Sequence, residues 1–206
     1  ETSAPNQVAS VKPGDLKFAD VNGDGIIDTH DQVKLGNSIP KWMGGFNTSA
    51  SWKGLTLFAR FDYALGYKKW NSGYQYFMGI TSGFFNVPEL AKKTWTEDNP
   101  TAGLPVLMTN DTNFKKNYTR NTSLFWENAA YLCAREISLS YDLPSQWTKK
   151  AMMEKVTVTL TGQNLFYVTS NNLYTPEYDS KNNTKDDGKG GYALPKTVLM
   201  GIKVVF

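Results

Sequence analysis

Apolar and polar residues alternate with a period of two along several stretches of this chain, the signature of strands with one apolar and one polar face. Phe46, Thr48, Ala50 and Trp52 oppose Asn47, Ser49 and Ser51. After the turn dipeptide Lys53-Gly54, Leu55, Leu57, Ala59, Phe61 and Tyr63 oppose Thr56, Phe58, Arg60 and Asp62. A third strand is predicted over Tyr131 to Tyr141 and a fourth over Val156 to Phe166, where Val156, Val158, Leu160 and Gly162 alternate with Thr157, Thr159, Thr161 and Gln163. The fifth closes the chain: Val198, Met200, Ile202, Val204 and Phe206 are apolar at every second position. Pro144 and the stretch Gln146 to Glu154 read as a turn with one helical turn, and a short helix is expected near Pro88 to Trp95.

The fold class predicted from this pattern is all-β, built of antiparallel strands with long loops. Ten steps from Val156 to Phe166 make about 33 Å of strand. Tilted by ~40°, that strand rises about 25 Å, the height of the lipid-facing band of an outer-membrane barrel. Phe46, Trp52, Tyr141 and Phe166 lie where interfacial aromatic girdles belong. Loop lengths alternate between short and long, as do periplasmic turns and extracellular loops. A final strand stopping on Phe206, with Val204 two residues before it, looks like the closing strand of such a barrel and its assembly signal. Residues 1–45 read as an extracellular loop segment and 46–206 as C-terminal barrel strands, with long loops at 64–130 and 169–191. The polar opening from Glu1 to Val11 reads like a cut within a loop.

One position conflicts with simple alternation. If Tyr131, Cys133, Ile137, Leu139 and Tyr141 share the apolar face, Arg135 joins them, and a lipid-facing Arg near the midplane costs about 2–4 kcal/mol. A β-bulge near Arg135 and Glu136 is therefore expected, turning both to the polar face and placing Leu132 and Ala134 on the apolar face above it.

Composition narrows the chemistry. Across 206 residues, 22 basic and 19 acidic residues leave a net charge of +3, too balanced to argue for nucleic acid. Apolar residues are 40%, aromatics 14%, and the mean hydropathy is −0.43, which leaves no segment apolar enough for a transmembrane helix. Barrel strands are compatible with such values, because half their residues avoid lipid. A single cysteine, Cys133, precludes an internal disulfide, and a single histidine, His30, leaves little room for a triad or a zinc site. Glu89, Glu97, Asp98 and Glu177 show no spacing that suggests acid–base catalysis and read as solvated loop acids, so no enzyme is expected.

Asp20 to Asp31 follows the calcium-loop pattern: oxygens at positions 1, 3 and 5, glycine at 6, an aliphatic residue at 8, acids at 9 and 12. Calcium takes six to eight hard oxygens, and this spacing wraps them about one point. Asp20, Asn22 and Asp24 would offer side-chain oxygens, Ile26 its carbonyl, Asp28 a water-mediated contact and Asp31 the closing carboxylate. An Asp at the twelfth position resembles dockerin-type loops. A metal-free Asx-rich turn explains the same residues. In the long insertion, Trp70, Tyr74, Tyr76 and Phe77 would suit stacking on sugar rings, or packing within the loop.

Several motifs, in order, resemble one family. Gly14-Asp15-Leu16-Lys17-Phe18-Ala19-Asp20-Val21-Asn22-Gly23-Asp24-Gly25-Ile26-Ile27-Asp28, then Leu35-Gly36-Asn37-Ser38-Ile39-Pro40, Gly45-Phe46-Asn47 and Trp95-Thr96-Glu97-Asp98-Asn99-Pro100 are followed by Tyr131-Leu132, Ile137-Ser138-Leu139-Ser140-Tyr141-Asp142-Leu143-Pro144, Gly162-Gln163-Asn164-Leu165-Phe166, Tyr174-Thr175-Pro176-Glu177 and the terminal Phe206. Together they resemble the C-terminal portion of SusC/RagA transporters, TonB-linked outer-membrane proteins of Bacteroidetes. The resemblance implies the last five strands of a transmembrane barrel of about 22 strands. It also implies a plug and remaining barrel supplied N-terminally, a SusD-like surface lipoprotein as lid, TonB as energy source, and a glycan or peptide cargo. Two features depart from the pattern. Cys133 stands where family members often carry Arg, and apart from Trp95–Pro100 the loop from Asn71 to Phe125 matches no family motif, which leaves the cargo open. The competing expectation is a soluble, calcium-stabilised β-sandwich that binds carbohydrate. It requires the apolar faces of Val156–Leu160 and Val198–Val204 to meet in one core.

Overall fold

The computed structural model describes residues 12–79, 89–107, 117–118, 120–171, 173, 175–177, 185–186 and 194–206. The chain forms two compact units: one comprises residues 1–36 and 70–126, the other 37–69 and 127–206.

The second unit is built on an antiparallel sheet. Its long strands are β1 (Trp42–Trp52), β2 (Leu55–Leu65), β5 (Tyr131–Asp142), β6 (Lys155–Gln163) and β9 (Thr197–Val205), in the spatial order β1-β2-β5-β6-β9, and short β7 (Tyr167–Thr169) pairs with β5. Two further short strands, β3 (Lys68–Asn71) and β4 (Trp126–Asn128), form a small sheet with β8 (Lys185–Asp186) in the order β4-β3-β8. The chain passes from one unit to the other within β3 and within β4.

The β1–β2 hairpin closes as its sequence predicts. Lys53 and Gly54 take φ of 47° and 83°, the left-handed pair that a type I′ two-residue turn requires. Between β5 and β6 the chain makes one helical turn, α2 (Ser145–Thr148), and a 3-10 turn over Lys149–Ala151.

The fourth strand departs from expectation. Instead of running unbroken to Phe166, β6 stops at Gln163; Asn164 takes a φ of 51°, and the chain resumes as β7. The interruption lies opposite an irregularity in β5, where Asn164 donates its amide to the Arg135 carbonyl and Leu165 to that of Ala134.

The other unit has its own core. Trp70 packs on Phe125 and Trp126 at ring-centroid distances of 5.1 and 5.5 Å, with Met78 and Tyr118 buried in the same cluster. The insertion contains a helix, α1 (Ser72–Gly79), that the sequence pattern does not announce. The predicted helix near Pro88 to Trp95 is a 3-10 turn over Glu89–Lys93, with Pro88 outside the described residues. Gly14, at φ 89°, lies against the Trp95 indole so closely that a Cβ would come within 2.5 Å of it. That contact joins two of the sequence motifs quoted above.

Candidate functional site: a two-faced sheet with a charged cluster at its bulge

In an antiparallel pair, residues directly opposite each other share a face. The register of this sheet therefore assembles whole rows. Ala50, Leu57, Leu139, Leu160 and Met200 form one row across all the long strands. Trp52, Leu55, Tyr141, Val158 and Ile202 form the next. These rows carry Trp52 70%, Met200 73% and Ile202 63% exposed. A contiguous apolar surface of this extent is what a soluble domain avoids and a lipid-facing wall requires. Val156–Leu160 and Val198–Val204 lie side by side on this one sheet, not face to face as a sandwich core would need.

The opposite face is polar. Ser51, Thr56, Ser140 and Thr159 form one of its rows. Their hydroxyls bond across strands, at 2.9 Å for Ser51–Thr56 and 3.0 Å for Ser140–Thr159, with Ser138–Thr161 at 2.8 Å in the next row. Cross-strand hydroxyl pairs of this kind hold a sheet together without a hydrocarbon layer on that side.

The bulge expected at Arg135 is present. Arg60 pairs with Glu136 and Phe61 with Ala134, so Arg135 is the extra residue in β5. Below it Ile137, Leu139 and Tyr141 share the apolar face with Ala59, Leu57 and Leu55; above it Ala134 and Leu132 share that face with Phe61 and Tyr63. Tyr131 and Cys133 thereby move to the polar side, opposite Ala64 and Asp62.

The Arg135 side chain is 17% exposed and donates to three side-chain acceptors. Its Nε donates to Asp62 Oδ2 at 2.6 Å, and one terminal nitrogen donates to Asn164 Oδ1 at 2.8 Å and Glu177 Oε1 at 2.9 Å. The Tyr167 hydroxyl donates to the same Glu177 oxygen. Lys69, buried, donates to the carbonyls of Thr175 and Glu177, each at 3.2 Å, and the Tyr67 hydroxyl donates to that of Pro176. Beneath these contacts Ala64, Tyr67, Ala129, Tyr131 and Cys133 form the core of this unit, with Tyr167 packed against them. Sequence reasoning found Arg135 and missed its partners. Glu177, read as a solvated loop acid, is one of two carboxylates on the guanidinium. The signal for a partner was the mid-strand Arg itself; nothing in the spacing named which acid.

The loop from Asp20 to Asp31 is held by its own backbone. Asp20 accepts from Gly23 N–H at 2.6 Å and Gly25 N–H at 2.8 Å. Asp24 accepts from the Ile26 amide and from the Asn22 side-chain amide, both at 2.8 Å. Asp31 accepts from Val21 at 2.7 Å and Asp28 at 2.8 Å, closing a capping box in which Asp28 accepts from the His30 amide. The donated amides of Asp28 and Val21 hold the Asp31 carboxyl below its ordinary value. The His30 amide and ring do the same for Asp28, whose carboxylate in turn raises the imidazole. Among the described residues no group of three or more His, Cys, Asp or Glu side chains is gathered as a preformed metal site.

The four aromatic residues singled out in the insertion divide into two pairs. Trp70 is buried in the core, and Tyr74 packs on Phe125 at 5.7 Å, so both serve the packing of the insertion. Tyr76 and Phe77 face solvent and meet edge to face at 5.5 Å. A cavity of about 440 Å³ in this unit is lined by Leu90, Lys93, Asn99, Thr101 and Leu104, among others, and by none of the four rings. At the chain end, Phe206 is exposed and follows β9 directly.

No family model matches the chain. TonB-dependent receptor P26 of Formosa agariphila is 28% identical over 204 residues, covering 94% of this chain and 20% of that protein. Receptor P3 of the same organism is 25% identical over 201 residues, covering 94% of this chain and 19% of its own length. Among solved structures, the RagAB peptide importer in its "closed-closed" state superposes with a TM-score of 0.63 at 28% identity, over 88% of this chain and 20% of that one. Its "open-open" state gives 0.61 at 29%, over 81% and 17%. The chain is similar to a fragment of a SusC/RagA-like TonB-dependent transporter. It spans about a fifth of the length of the curated relatives it matches.

Proposed function

We propose that this chain is a run of wall strands in the barrel of a TonB-dependent outer-membrane importer. The carrying observation is the exposed apolar face that runs in register across β1, β2, β5, β6 and β9, backed by a hydroxyl-laced polar face. In this reading the apolar rows contact lipid, the polar rows line the lumen, and the longer loops face the cell exterior. The open edges of β1 and β9 pair with strands of the remaining barrel, which carries the plug and the TonB contact. A SusD-like lipoprotein covers the extracellular side. Peptide is the cargo favoured by likeness to a peptide importer, with glycan as the other cargo class. Tyr76 and Phe77 are the rings in a position to touch cargo or lid from solvent.

Fractionation of the natural host tests this directly. The polypeptide carrying this chain is expected in the outer membrane, extracted by detergent only. Recovery as a monomer soluble in plain buffer overturns it. For assembly, Phe206→Ala, next to the end of β9, is expected to lower the amount of inserted barrel if this aromatic serves as an assembly signal; normal surface levels refute that role.

Calcium at Asp20, Asn22, Asp24, Ile26, Asp28 and Asp31 is proposed as a structural ligand. What supports it is the oxygen spacing and the second lone-pair direction left on carboxylate oxygens that each accept one amide. Calorimetric titration of the detergent-solubilised protein with calcium, against an Asp20→Asn, Asp24→Asn double variant, is expected to show one binding event lost in the variant. Equal heats in both exclude the site.

A further inference from the structure

We infer that Thr175–Glu177 is a strap latched onto the polar face of the sheet, with the Arg135–Glu177 ion pair as the latch and the β5 bulge as the device that presents it. This stands on the contacts of the sheet alone and does not depend on what the protein transports.

Four side chains from the sheet and its connections hold three consecutive residues. Tyr67 and Lys69 grip the strap's backbone carbonyls, while Arg135 and Tyr167 grip the Glu177 carboxylate. The bulge is what makes Arg135 available. Without the extra residue its side chain would fall on the apolar face, away from Asp62 and Glu177. Charge is distributed so that the latch can open without wrecking the sheet. Asp62 remains on Nε of Arg135 when Glu177 leaves, so the guanidinium keeps one carboxylate partner. Two rings bonded to the strap, Tyr67 and Tyr167, pack in or against the buried cluster that contains Cys133, which is fully buried. Strap detachment therefore frees two rings of that cluster, and Cys133 is a built-in reporter of the latch.

The experiment measures the rate at which a small thiol reagent labels Cys133 in the natural polypeptide carrying this chain, read by mass spectrometry of the peptide containing it. Glu177→Gln keeps the shape of the side chain and removes the charge. It is expected to speed labelling roughly tenfold, the scale of one partly exposed charge-assisted hydrogen bond. Tyr67→Phe keeps the ring and deletes only the hydroxyl bond to Pro176. It is expected to speed labelling about threefold, and it carries the test if Glu177→Gln does not accumulate. Leu160→Ala, on the apolar face, is the control for general loosening and is expected to leave the rate near that of the unaltered protein. Unchanged labelling in both strap variants overturns the latch, and so does acceleration by Leu160→Ala equal to theirs.

Discussion

Below the bulge and above it, the same strand β5 behaves as two different strands. From Ile137 to Tyr141 it keeps strict alternation, its apolar side chains in rows with Leu57 and Leu160 and its serines bonded to threonines of β6. From Tyr131 to Ala134 the parity is reversed, and the polar side holds tyrosines, a thiol, and an Arg135 shared by two carboxylates. The lower region is held by many weak, repeated pairs, the upper by a few strong, particular ones. A single inserted residue separates them, because side-chain direction in a strand has a period of two and one residue flips everything beyond it. A local defect in pairing thus lets a uniform wall carry a specific charged site.

The largest effect expected from breaking this contrast comes at the apolar face. Leu160→Arg places a charge in the middle row and costs about 2–4 kcal/mol if that face meets lipid. The readout is the amount of inserted barrel. Because Leu160 is half exposed, the same change would be close to neutral in a soluble sheet, so normal levels would contradict the lipid-facing assignment. Next in size is Arg135→Ala. It leaves Asp62 and Glu177 without their shared cation and is expected to cost about 2–3 kcal/mol, the scale of hydrogen bonds to charged groups that are partly exposed, measured as a shift in the denaturant midpoint of the detergent-solubilised protein. Asp62→Asn should be milder, since Arg135 keeps Glu177.

The smallest effect belongs to the hydroxyl-laced region. Ser140→Ala alone strands the Thr159 hydroxyl and is expected to cost about 1 kcal/mol, whereas Ser140→Ala with Thr159→Val removes both partners and should recover most of that loss. Additive losses in the double variant would show that the hydroxyls matter for something other than each other.

The two regions also differed in how far they could be read from sequence. The pairing of Ala50 with Leu57 follows from alternation plus the turn at Lys53-Gly54, which pins the register of the first hairpin, whereas the extension of that row to Leu139, Leu160 and Met200 is set by the pairing of the later strands. Arg135 was legible as an exception because a cation in an apolar phase demands a bulge. The break at Asn164 left only a faint trace, a polar Asn164 on the apolar parity and Leu165 on the polar one, which does not say whether the strand stops there; it arises where β6 meets the extra residue of its neighbour. Among the candidate aromatics, burial separated Trp70 from Tyr76 and Phe77, and no spacing distinguishes a ring that packs from one that projects.

By itself the sequence determined which residues share a face, where the first hairpin turns, and that β5 must change parity near Arg135. These are local consequences of a two-residue repeat and of one charge out of phase, and they need only neighbouring residues to be known. Tertiary structure alone decided that Glu177 closes on Arg135 across 42 positions, that Lys69 and Tyr67 grip the same short segment, and that Cys133 lies beneath them. Those choices join residues far apart in the chain. Several acids had the right charge, and only the path of the backbone brings Glu177, with Asp62, within hydrogen-bond reach.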